Sequence, residues 1–343
     1  MAGTLLFCGN GLSIDYQSFV GGTLHPSEPF CWDVPNPSGA GSLLQAMPKI
    51  NAWIDEISQA RGAEVDCRDL FHELVNQFSK DPSPYAFLGD VIPGQAGPVR
   101  EGTDGPSTAR IHVEARHFLA IAFSWFQSRL DVSEAKMTSW PWYRWIDKHA
   151  GIIRAVLSLN YDLIVERALK RSRIPFQYPS ELLRADRKSK QLLRRGTPVP
   201  VCKPHGSCNF ASQLDVGERG YPMRQHAWLT KAPLRPLRDH ELMTARGVVD
   251  MIVPGESNNL RQHHKWIAAA EDTFLSSARF VDTLVVAGFS YSKCDQKEFG
   301  RLFALMPRIK RTFLVDPSPS NDLRAALEQF SEKVVVADGP PQI

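Results

Sequence analysis

Closely paired cysteines are missing from this 343-residue sequence, although it holds six cysteines. Cys8, Cys31, Cys67, Cys202, Cys208 and Cys294 are scattered, with no Cys-x-x-Cys anywhere. A zinc ribbon closes its tetrahedral site with paired ligands, so a structural zinc module is excluded and buried free thiols are expected. No apolar run is long enough to cross a bilayer. Met1-Ala2-Gly3-Thr4 carries no basic segment and Leu5–Cys8 is a short apolar stretch, so a cytoplasmic rather than an exported protein is expected. Charge of one sign is also scarce: a net charge of +3 is too small to imply nucleic-acid binding. Internal repeats are absent. What remains, 43% hydrophobic and 22% charged residues, is the composition of a globular protein with enough chain for one large domain carrying an insertion.

The first apolar run, Thr4–Cys8, stops at Gly9-Asn10-Gly11-Leu12-Ser13, the pattern of a buried strand feeding a glycine turn. Residues 18–41, rich in Gly, Pro and Ser without helical periodicity, predict a long loop of the lid or binding type. Leu44, Met47, Ile50, Ile54 and Ile57, then Leu70, Leu74 and Phe78, recur at helical spacing. A Gly/Pro-rich connection at 93–107 precedes another helix, about 108–130. Trp140, Trp142 and Trp145 beside Tyr143 are expected to fill a core or interface rather than stack on a base.

From Ile152 onward, β-rich runs alternate with helices. Strands are expected at 153–158, at 199–203 despite its proline, and at 248–253, 283–287, 312–315 and 333–336. Helices are expected through Leu163, Val165 and Leu169, at 261–277 and at 323–330. This alternation predicts an α/β fold: a Rossmann-like parallel sheet with helices on both faces. A helical insertion at about 42–150 separates the first strand from the rest, so the core comprises about 1–30 and 151–343 of a single domain.

Ligands of such sheets sit at the carboxyl ends of strands. Five clusters fall there: Gly9–Ser13, Asn160-Tyr161-Asp162, His205-Gly206-Ser207, Gly288-Phe289-Ser290 and Asp316-Pro317. Each also has a plain structural role. A glycine turn serves geometry, since glycine tolerates positive φ. Asn160 suits a helix cap, and Asp162 suits the first turn of a helix for dipole reasons. The basic run Arg184, Arg187, Lys188, Lys190, Arg194 and Arg195 fits a solvated face, and no site is assigned to it.

In this order the clusters resemble the sirtuin-like superfamily, closest to its bacterial NAD-hydrolysing branch from antiphage defence. Gly9–Ser13 is similar to the family's phosphate loop, Ser158-Leu159-Asn160-Tyr161-Asp162 to its Thr-x-Asn-Tyr-Asp motif, and Lys203-Pro204-His205-Gly206-Ser207 to Lys-Leu-His-Gly-Ser. Gly288-Phe289-Ser290-Tyr291 with Asp295 resembles a Gly-Tyr/Phe-Ser-x-x-Asp motif, and Val315-Asp316-Pro317 the late Val-Asn-Pro segment. The resemblance spans about 4–15 and 153–318 and does not cover the helical insertion.

It implies NAD as substrate and no metal. Asn160 and His205 would be catalytic, with Gly9, Asn10, Gly11, Ser13, Asp15, Asp162, Gly288, Ser290, Asp295 and Asp316 binding NAD. Backbone amides around 11–13 would hold the pyrophosphate. Asn160 would orient a ribose hydroxyl or a water, Asp162 would meet the carboxamide, and Asp316 the adenosine ribose. His205, an imidazole titrating near neutrality, would take a proton from a hydroxyl or water while nicotinamide departs neutral. Family deacylases carry a four-cysteine zinc module that this chain lacks, which favours water over a peptide as acceptor.

The expected activity is NAD glycohydrolysis to nicotinamide and ADP-ribose, as a NAD-depleting effector of abortive infection. Cyclisation of the product, a catalytically silent NAD- or ADP-ribose-binding module, and protein deacylation or ADP-ribosylation are the alternatives. Restraint is expected through a homo-oligomer or a separate activating protein, for which the family offers ATPases and short Argonaute-like proteins.

Overall fold

The computed structural model describes residues 3–26, 29–48, 51, 52, 55, 59, 62, 105–179, 198–212, 234–243, 265–291 and 293–343. The first strand, β1 (Gly3–Cys8), is buried at every position. Successive side chains of a strand face opposite ways, so burial without alternation requires cover on both faces of the sheet. The chain continues through α1 (Asn10–Val20), α2 (Gly105–Asp131), α3 (Pro141–Lys148), β2 (Ile153–Ser158), α4 (Ile164–Arg171), β3 (Phe176–Gln177) and β4 (Val199–Cys202). Then follow β5 (Phe210–Ser212), β6 (Leu234–Pro236), α5 (Lys265–Ala278), β7 (Val281–Ala287), α6 (Lys293–Ala304), β8 (Arg311–Val315), α7 (Asn321–Glu328) and β9 (Val334–Ala337).

Seven of these strands form one sheet in the order β3-β4-β2-β1-β7-β8-β9, and every pairing is parallel. This is the Rossmann-like α/β arrangement that the alternating pattern predicts. Leu6 on the central β1 is in register with Val156 of β2 and Val285 of β7. The chain leaves β1 toward β2 and β4, then returns to lay β7, β8 and β9 on the other side. The order therefore reverses between β1 and β7, and in open parallel sheets such a switch point is where ligands bind, outside the carboxyl ends of the strands. Pro200, which cannot donate to a ladder, is tolerated because β4 has only the two-residue β3 beyond it.

The chain divides into two compact units. One comprises Met1–Thr23, Gln127–His205 and Trp266–Ile343, and the other Leu24–Phe126 and Gly206–Lys265. The first unit holds the parallel sheet. On one of its faces Leu5, Phe7, Leu157, Leu284, Val286 and Leu314 meet Phe274 of α5, Phe299 and Phe303 of α6, and Leu323 and Leu327 of α7. Phe7 is the hub, with its ring 4.8 Å from Phe289, 5.8 Å from Phe299 and 6.0 Å from Phe303.

The tryptophans of the first unit are packing residues, as their density predicts. Trp140 is fully buried 4.8 Å from the ring of Tyr16, and Trp145 Nε1 donates to Pro341 O at 2.7 Å. In the second unit β5 and β6 pair antiparallel, and Trp32 stacks on Phe126 at 5.1 Å. This unit starts at Leu24 and includes 206–265, so the part of the chain outside the sheet unit differs from the expected 42–150 insertion.

Two expected boundaries move. α1 runs to Val20 and ends on Gly21 in the left-handed region (φ 78°), so the irregular segment starts after the helix rather than at Ser18. β3 has no counterpart in the sequence pattern because two residues set no period. The expected strand at 248–253, the helix around Leu70–Phe78, most of the 93–107 connection and the basic run lie outside the described residues. Cys8, Cys202 and Cys208 are buried free thiols, whereas Cys31 is exposed. Among the described residues no helix is long and apolar enough to cross a membrane.

Candidate active site

At the carboxyl end of β1 the chain turns into α1 within one residue. Gly9 is the extended N-cap (φ −107°, ψ −176°) and supplies no side-chain cap. Its N–H donates to Ala287 O at 2.9 Å, and the Gly11 N–H donates to Gly288 O at 2.9 Å. The β1 and β7 loops thus touch through backbone. A Cβ on Gly9 would lie 2.4 Å from Gly288 O, and one on Gly11 2.6 Å from Gly288 Cα. Gly288 itself has φ +60°, a conformation that side chains disfavour.

This contact accounts for the glycines without any ligand. It also engages the Gly11 amide, while the Leu12 amide donates to Gly9 O at 3.1 Å. Two of the amides expected to meet a pyrophosphate are therefore bonded within the protein. Asn10 and Ser290, which flank the contact, are exposed.

The carboxyl end of β2 carries a buried polar chain. Asn160 Nδ2 donates to Gly9 O at 2.9 Å and to Ser13 Oγ at 2.8 Å. Gly9 O only accepts, which fixes the orientation of the amide and points its oxygen elsewhere. Among the described residues nothing donates to Asn160 Oδ1. Ser13 Oγ passes its single hydrogen to Asp162 Oδ2 at 2.5 Å, and Asp162 Oδ1 accepts the Ile164 N–H at 3.0 Å. Both oxygens of Asp162 accept, the pattern of a carboxylate. Asp162, not Asn160, satisfies an amide at the start of α4.

Asp162 is 2% exposed, so an incoming carboxamide has little of it to meet. Burial raises its carboxyl above the ordinary 3.8, opposed by the Lys203 ammonium and the Ser13 hydrogen bond. The same burial, reinforced by the charges of Glu166 and Asp162, pushes the Cys8 thiol well up and keeps it protonated.

Lys203, just past β4, extends into this region and is 1% exposed. Its Nζ donates to Asp162 O at 2.5 Å and to Glu166 Oε1 at 2.9 Å, and Tyr178 Oη donates to the same Glu166 oxygen at 3.2 Å. From the other side Gln127 Oε1 accepts the Leu163 N–H at 2.7 Å, and its Nε2 donates to Asp131, which Arg167 clamps through two nitrogens. The 160–163 segment is thus fixed from both sides. His205 is 3% exposed, with its ring 6.4 Å from Tyr161 and 5.8 Å from Phe299.

Two further expected contact residues make hydrogen bonds within the protein. Asp15 is exposed and accepts from Trp140 Nε1 at 2.7 Å. Asp316 is half-buried and accepts the Ser318 N–H at 2.8 Å, closing a local turn. Asp295 falls on α6, and its side chain lies outside the described residues. Glu166, Tyr178 and Gln127 carry no signal in the sequence, because a Glu and a Gln on helices read as solvent-facing. Among the described residues no group of three or more His, Cys, Asp or Glu is placed to hold a metal ion.

Chemically, the carboxyl end of β2 offers an oriented acceptor, Asn160 Oδ1, and the turn after β4 offers the imidazole of His205, both buried. No protein-family model matches this chain, and no curated protein matches it significantly.

Proposed function

We propose that the protein binds NAD at the carboxyl edge of the sheet and hydrolyses its nicotinamide–ribose bond, releasing nicotinamide and ADP-ribose. One observation carries the reading: Gly9–Ser13, Asn160–Asp162 and Gly288–Ser290, far apart in sequence, converge beside the β1/β7 switch point, with Asn160 bonded to both Gly9 and Ser13. The motif order that resembles sirtuin-like NAD hydrolases is the other support.

In this reading Asn160 Oδ1 accepts from a ribose hydroxyl or from the attacking water beneath the anomeric carbon. His205 takes the proton as the C–N bond breaks. The nicotinamide leaves neutral and needs no strong acid, so positioning and one base supply the catalysis. Asn10 and Ser290 border the pyrophosphate, and Asp316 the adenosine ribose. Cleavage that depletes NAD calls for restraint, which we assign to a homo-oligomer or a separate activating protein such as an ATPase or a short Argonaute-like partner, in an abortive response to phage.

The test is incubation of the purified full chain with NAD, alone and with its neighbouring gene product, following nicotinamide. Release that disappears in His205→Ala supports the assignment. NAD binding with no release in any assembly state would replace hydrolysis with a binding module. A monomer fully active alone would overturn the restraint.

A further inference from the structure

The geometry points to Lys203 and Glu166 as positioning residues that set the orientation of Asn160 through Asp162 and Ser13. The links are continuous. Glu166 Oε1 holds Lys203 Nζ at 2.9 Å, and Lys203 Nζ holds Asp162 O at 2.5 Å. Asp162 Oδ2 takes the Ser13 hydroxyl at 2.5 Å, and Ser13 Oγ takes Asn160 Nδ2 at 2.8 Å. Every member is buried, from Ser13 at 0% exposure to Asn160 at 7%.

Directionality makes the chain a device rather than a cluster. Ser13 has one hydrogen, and giving it to Asp162 leaves its lone pairs for Asn160. Asn160 Nδ2 then donates to Ser13 Oγ as well as to Gly9 O, and the two bonds together leave its Oδ1 as the acceptor. Without the acceptor at Asp162, the Ser13 hydroxyl is free to rotate and compete for Asn160 Oδ1, which leaves Gly9 O alone to hold the amide. The Lys203 bond to the Asp162 carbonyl fixes the backbone of that acceptor.

Stability alone does not account for this arrangement. Glu166 Oε2 is buried and, among the described residues, has no hydrogen-bond partner. A buried ion pair with an unsatisfied oxygen is often no more stable than apolar residues of the same volume. In this arrangement Asp162 acts through Asn160.

The kinetic arm of the test rests on the nicotinamide-release reading; the spectroscopic arm does not. In the full chain, the double variant Lys203→Met with Glu166→Leu replaces the pair by apolar groups, and Glu166→Gln serves if that protein does not fold. The Asn160 side-chain NH2 is followed by NMR, its resonances identified by their loss in Asn160→Asp. The inference expects slow-exchanging Asn160 NH2 protons in the parent and their loss of protection in the variant. It also expects a kcat lower by roughly tenfold to a hundredfold, with NAD binding weakened less than in Asn160→Ala because the side chain is loosened and not removed. Unchanged Asn160 protection overturns the inference whether or not the parent turns over NAD. A parent that releases no nicotinamide, with Asn160 protection lost in the variant, sinks the hydrolase reading and keeps the positioning one.

Discussion

A methyl group on Gly11 would sit 2.6 Å from Gly288 Cα, and one on Gly288 would sit 2.4 Å from Leu12 N. Both neighbours are backbone, so neither can swing away. Gly11→Ala is expected to cost roughly 1–3 kcal/mol through forced separation of the two loops. Gly288→Ala adds about 1–2 kcal/mol, because its φ of +60° must be held by an L side chain. Denaturant midpoints order the two; Gly288→Ala no worse than Gly11→Ala would refute the backbone account. Asp162 makes a prediction of opposite kind. Its folded carboxyl titrates above the ordinary 3.8, so the native state holds the proton longer than the unfolded chain. Stability from this group is therefore present in acid and is lost as pH rises from 3.8 through the raised value. The stability of the parent relative to Asp162→Asn should decline over that window and then level. A difference independent of pH would show that burial does not govern this carboxyl.

Among the elements, α7 allows stability to be separated from chemistry. Ser320 Oγ accepts the Leu323 N–H at 3.4 Å as its N-cap, and Leu323 and Leu327 lie in the core. Ser320→Ala should lower stability by about 0.5–1 kcal/mol, given the long bond. Nicotinamide release per folded molecule should stay the same, and a specific loss of turnover would mean that α7 reaches the site. The elements also mark what sequence reasoning can reach. Leu5–Cys8 and Thr312–Val315 were legible as buried strands because both sides of a parallel sheet demand apolar residues, and their alternation with helices gives the fold class. The site was legible as positions and not as contacts. Asn160 and Asp162 stand out at the end of β2, yet only the folded chain brings Ser13 between them. Lys203 and Glu166 were illegible as a buried pair, since each charge reads as solvated until its partner, 37 residues away, is known. The glycine turn was legible too, but its reason, the approach of Gly288, lies in tertiary structure. β3, of two residues, and the antiparallel β5–β6 pair, of three residues each, are too short to set a pattern.

For the whole molecule, ligand binding and folding are one equilibrium. A ligand that binds only the folded chain stabilises it by about 2.7 kcal/mol at a hundredfold excess over its Kd. If NAD binds beside the β1/β7 switch point, it should raise the unfolding midpoint in a concentration-dependent way, and Asn160, bonded to Gly9 and Ser13, should be part of that gain. The ring of His205 packs 6.4 Å from Tyr161 and 5.8 Å from Phe299, and in the proposed reaction it acts on the proton and not on the dinucleotide. His205→Ala should therefore keep most of the NAD-induced shift while losing nicotinamide release. If the proposed hydrolysis holds, the parent consumes its ligand during the measurement, so His205→Ala gives the cleaner binding curve. In Asn160→Ala both quantities should fall, because the oriented acceptor is removed from ground state and transition state alike. Loss of the thermal shift in His205→Ala, with its ligand-free midpoint unchanged, would instead make this histidine a binding residue and return the proton transfer to another group.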